Sequence, residues 1–68
     1  MKLIDLLNRA AGGDVAAASR LADVLRFKAR MNYREIVEYV GRHRPELTPE
    51  RWEHMMQEAD FQTSQGMI

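Results

Sequence analysis

Residues 27–46 read FKARMNYREIVEYVGRHRPE: a basic helix end runs through Asn32 into a short amphipathic helix, which closes at His43, Arg44, Pro45 and Glu46. Asn32 and Glu35 have the spacing of an N-cap residue and its partner one turn later, so each side chain can satisfy a free backbone N–H of the first turn. A helix over residues 33–41 is therefore expected. Its apolar face is Tyr33, Ile36, Val37 and Val40, with Glu38 and Arg42 as an exposed pair one turn apart and Gly41 as a stop. Arg44 precedes a proline and is biased away from helix, so residues 42–47 read as a connection.

Upstream, residues 2–11 form a first short helix presenting Leu3, Ile4, Leu7 and Ala11. Gly12 and Gly13 end it, because glycine reaches the left-handed C-terminal conformation without a Cβ clash. Asp14 caps the next helix, expected over 15–30, with Val15, Ala18, Ala22, Leu25 and Ala29 on one stripe widened by Leu21, Val24 and Phe27. Its alanines allow a neighbouring helix to approach closely. Downstream, Thr48 and Pro49 give a sharp start to a helix over 49–60, and Leu47 can pack on Trp52 as a hydrophobic staple. Trp52, Met55, Met56 and Ala59 form the buried stripe of that helix, with Phe61 closing over its end. No segment alternates apolar and polar residues with period two. The reading is an all-α protein, a three-helix bundle with a short additional N-terminal helix, folded as a single helical domain over 1–62 with a flexible C-terminal tail over 63–68.

A chain of 68 residues buries only about 60% of its unfolded surface, so binding a partner can contribute substantially to its stability. With no cysteine, a disulfide scaffold and a thiolate metal site are excluded, and a reducing cytoplasmic setting is expected. No signal peptide is visible, and the first helix is interrupted by Asp5 and Arg9, so no membrane span is expected. Ten basic residues balance ten acidic ones, which gives no general attraction to nucleic acid or anionic lipid. The distribution is uneven: residues 26–44 hold six Lys and Arg against Glu35 and Glu38, whereas residues 45–68 hold Arg51 against five carboxylates. Opposite faces of this kind solvate a domain and pair with each other, or form a binding surface.

No phosphate loop, zinc-protease motif or nucleophile elbow is present, and no catalytic residue or cofactor is assigned. His43 and His54 lack the one-face spacing of a metal pair and read as surface residues. Glu50, Glu53, Glu58 and Asp60 read as a solvated helix flank. The Met55 and Met56 stripe, with Met31, could be an adaptable binding surface, but beside Trp52 it reads more simply as core. A helix-turn-helix formed by the last two helices has too long a joint, and Glu50 and Glu53 at the start of its reading helix would repel phosphates.

Phe27, Lys28, Arg30, Asn32, Ile36, Glu38, Val40, Arg42, Pro45 and Glu46 follow without a gap the residue pattern of the theta subunit of bacterial DNA polymerase III and its phage-borne homologue. The chain resembles that family over most of its length, with an alanine-rich helix before the pattern and an aromatic-bearing helix after it. Arg34 stands where the family has a proline, and the first helix with its glycine pair has no clear counterpart there. The resemblance implies a three-helix protein without activity of its own. Such a protein binds the N-terminal exonuclease domain of the proofreading subunit, epsilon, and stabilises it within the polymerase core. On that resemblance, the expected partner contact is the C-terminal half of the second helix and the joint after it: Leu25, Phe27, Lys28, Arg30, Asn32, Ile36 and Glu38. From the residues alone, Leu25, Phe27 and Ile36 also read as internal core, and Asn32 as a cap only. A small phage- or plasmid-encoded regulator of another host protein would show the same helices.

Overall fold

Capping chemistry sets most of the helix boundaries. The computed structural model describes the backbone of residues 2–66 and the side chains of residues 2–62. Among these the chain forms α1 (Leu3–Ala11), α2 (Val15–Phe27), α3 (Tyr33–His43) and α4 (Pro49–Gly66), with no strand. This is an all-α bundle of three principal helices, with α1 as the short additional one.

The α1–α2 joint is closed by two backbone hydrogen bonds: Gly13 N–H donates to the Ala10 carbonyl and Asp14 N–H to the Arg9 carbonyl, both at 3.0 Å. These bonds form a Schellman turn, which needs a left-handed residue. Gly13 supplies it at φ +100°, while Gly12 remains right-handed. Asp14 then accepts from the Ala17 N–H at 3.2 Å and starts α2.

Two helix ends differ from the sequence expectation. α2 stops at Phe27 rather than at residue 30, because Arg30 takes φ +55° and turns the chain toward α3. α3 runs past Gly41 to His43, so this glycine is an interior helical residue. Arg44 at φ −138°, ψ 93° ends it, as expected for a residue crowded by the following Pro45 ring. Leu47 N–H then closes a turn on the Arg44 carbonyl at 2.9 Å, with Pro45 preset for the first central position. A Cβ added at Gly41 would meet the Leu47 carbonyl oxygen at 3.7 Å, an ordinary contact. Gly41→Ala is therefore expected to stabilise the fold by about 0.5–1 kcal/mol, measured as a higher urea midpoint at unchanged slope.

Thr48 Oγ1 accepts from the Arg51 N–H at 3.2 Å and opens α4. Leu47 and Trp52, flanking this cap, are both fully buried, as a hydrophobic staple requires. α4 continues through Gly66, beyond the expected end at residue 60. The flexible tail expected over 63–68 falls on residues whose side chains lie outside those described.

The core joins Leu6, Leu7 and Ala10 of α1 to Ala17, Ala18, Leu21 and Leu25 of α2, Ile36 and Val40 of α3, Leu47, and Trp52 and Met55 of α4. α2 is the central element, packed most extensively against α1 and α4. Its fully buried Ala18, together with half-buried Ala22, lets those neighbours come close. The buried face of α1 is rotated from the expected one: Leu6 is inside and Ile4 is outside at 52% exposure. Phe27, Ala29 and Phe61, expected to join or close the core, are exposed. Arg51 ties the start of α4 to the end of α1, with Nη2 donating to the Ala11 carbonyl at 3.1 Å. A cation at this helix end satisfies a free carbonyl and complements the helix dipole. The radius of gyration is 11.3 Å, matching the roughly 11 Å of a compact domain of this length.

Candidate functional site

The segment that leads from α2 to α3 is shaped by one left-handed residue and one reciprocal cap. Lys28 N–H continues the helical pattern to the Val24 carbonyl at 2.9 Å, and beyond Arg30 the Met31 N–H folds back onto the Leu25 carbonyl at 3.0 Å. Arg30 has a Cβ, so its φ of +55° stores roughly 1–2 kcal/mol of local strain. The chain then extends at Asn32, whose Oδ1 accepts from the Glu35 N–H at 2.9 Å while Glu35 Oε1 accepts from the Asn32 N–H at 3.1 Å. This is the capping box expected from the sequence, and it gives α3 a defined start.

The seven residues of the expected contact set divide by burial. Leu25 and Ile36 are core, at 2% and 1% exposure, so in the folded chain they support the surface from beneath. Asn32 is exposed, but its carboxamide is engaged in the cap. Phe27, Lys28, Arg30 and Glu38 are exposed. Phe27 is the most notable of them, an apolar ring 71% exposed at the last residue of α2, with the cation Lys28 next to it and Arg30 two residues further on. Sequence periodicity had it on the edge of the core stripe. It lies on the side of α2 away from the buried Ala17, Ala18, Leu21 and Leu25, and the chain turns inward only at Met31, which is half-buried.

Tyr33 was expected on the apolar face of α3, yet it is 44% exposed. It borders two clefts. One, of about 350 Å³, lies between the starts of α3 and α4 and includes Val37, Pro49 and Glu53. The other, of about 300 Å³, lies between α2, α3 and α4, over Ile36, Trp52 and Met56. Partial burial, and then the charge of Glu53, push the Tyr33 hydroxyl above its ordinary value of 10.0. The folded state thus favours the neutral phenol. Below pH 10 this has no effect on stability, and as pH rises above 10 the folded state is progressively disfavoured. An absorbance titration in a Tyr39→Phe background is expected to place the phenolate midpoint above that of the unfolded chain, and Glu53→Gln is expected to move it down.

His43 stacks on Tyr39, with ring centroids 4.2 Å apart, and its Nδ1 lies 3.0 Å from the Tyr39 carbonyl oxygen. Among the described residues no three of His, Asp and Glu are grouped to hold a metal ion. No helix among them is long and apolar enough to cross a membrane. A shallow groove of about 540 Å³ runs along the outer face of α2, from Ala16 to Phe27 and Lys28. No family model matches the chain, and comparisons with curated proteins and with solved structures find no match.

Proposed function

We propose that this chain is a non-enzymatic accessory protein that docks on another protein through the α2–α3 joint. We further propose that its partner is the proofreading exonuclease subunit of a DNA polymerase, as the resemblance to the theta family implies. The observation that carries the reading is the placement of Phe27 at the joint, 71% exposed and next to exposed Lys28 and Arg30. These belong to the stretch of sequence that bears the family pattern. Burying such a ring in an interface contributes about 1.5–3 kcal/mol, and flanking cations give a partner with an acidic surface both orientation and a faster encounter. Binding the folded partner would in turn stabilise both proteins by mass action. The helix-turn-helix alternative is disfavoured by exposed Glu50 and Glu53 in the opening turns of α4.

Co-expression with the exonuclease domain of a host epsilon subunit tests the reading, with a co-eluting complex on size exclusion as the expected result. Absence of association in a direct titration overturns it. Arg30→Gly is a useful companion variant, because glycine takes φ +55° without strain. It is expected to hold or raise the Tm of the free chain while weakening the complex about tenfold, a loss on the order of one charge-assisted contact.

A further inference from the structure

The outer face of α2 is self-complementary. Ala16, Arg20, Asp23 and Phe27 are all exposed and line the same shallow groove. Their spacings of four, three and four residues put them on a single seam of the helix, the repeat by which two helices pack side by side. The buried residues Ala17, Ala18, Leu21 and Leu25 occupy the opposite side of the helix, so the seam points away from the core. An antiparallel copy of the same helix, related by a dyad crossing between Leu21 and Ala22, brings Phe27 of each chain over Ala16 of the other. The same register sets Arg20 of each chain against Asp23 of the other. The large apolar ring meets the smallest residue on the seam, and each cation meets an anion. Two-fold symmetry then makes every contact twice, as an isologous interface requires.

We infer that a second copy of this chain docks on the α2 groove, forming an antiparallel homodimer in which Phe27 packs on Ala16 and Arg20 pairs with Asp23 across the dyad. The seam spans only the 13 residues of α2, well below the area of an obligate interface, so the dimer is weak and reversible. Phe27 also belongs to the proposed docking joint, so a partner held there must displace the second copy. Self-association then becomes a means of keeping the ring covered until the partner arrives. The homodimer itself does not depend on the identity of that partner.

Sedimentation equilibrium of the full chain at neutral pH and low salt is the test. Concentration-dependent dimer is expected between roughly 10 µM and 1 mM, the range of a small, weak interface. Phe27→Ala, Arg20→Asp and Asp23→Arg are each expected to weaken association about tenfold or more, the two charge variants by opposing like charges across the dyad. The double variant Arg20→Asp with Asp23→Arg is expected to restore it to within about threefold of the parent chain, since the exchanged pair is again complementary. Circular dichroism should show unchanged helicity throughout, because all three positions are exposed. A parent chain that stays monomeric over this range overturns the inference. So does association insensitive to Phe27→Ala, or a double variant no better than the singles. Arg30 is not on the seam, so Arg30→Gly separates the two proposals: it is expected to weaken epsilon binding and leave the dimer intact.

Discussion

Trp52→Ala is expected to cost about 3–5 kcal/mol, from about a third to all of the stability of the domain. A chain of 68 residues has roughly 3–10 kcal/mol in total. Trp52 is fully buried, the largest such side chain described. It packs in the cluster that joins all four helices and sits beside the Leu47 staple, so its loss leaves a cavity that no single helix can close. Urea denaturation followed by far-ultraviolet circular dichroism should show a large fall in midpoint or no folded baseline. Trp52→Phe is the informative control. Among the described residues the buried indole Nε1–H has no hydrogen-bond partner, and such a donor costs about 1–3 kcal/mol to keep. Phenylalanine removes that cost while retaining most of the apolar area. The loss for Trp52→Phe is therefore expected to be less than half of that for alanine, and an equal loss would show that a phenyl ring cannot fill the space the indole occupies.

Leu21→Ala is expected to cost about 2–5 kcal/mol. Leu21 is fully buried in the middle of α2, the helix that α1 and α4 both pack against. Because the site is enclosed from two sides, its neighbours cannot move in to fill the void without disturbing each other, which places the expected loss toward the upper part of the range. Leu21→Met conserves volume and is expected to cost less than about 1.5 kcal/mol. The same urea experiment distinguishes them. A Leu21→Ala chain within about 1 kcal/mol of the parent would mean that α2 is not the central support described above.

The starts of α2, α3 and α4 were legible because their signals close within one turn: Asp14 on Ala17, Asn32 with Glu35, and Thr48 on Arg51. The helix ends were harder to read. α2 ends three residues before the expected position because Arg30 adopts a left-handed conformation that the sequence would ordinarily mark with glycine. In α3 the glycine that looked like a stop lies inside the helix, and steric crowding by Pro45 ends it. The candidate site follows the same division. The cap role of Asn32 could be read from its neighbours, whereas separating exposed Phe27, Lys28, Arg30 and Glu38 from buried Leu25 and Ile36 required knowing which faces of α2 and α3 pack inward.

The amino-acid sequence by itself determined that the chain is helical, where α2, α3 and α4 begin, and that Leu47 and Trp52 bracket a capped start. Each of these depends on interactions among residues a turn apart, which are present however the helices later meet. Tertiary structure alone decided which face of α1 is buried, that Arg51 reaches the Ala11 carbonyl 40 positions away, and that Phe27 stands in solvent. Those outcomes depend on which helix lies against which, a choice made by summed burial around α2 that no single stretch of the chain encodes.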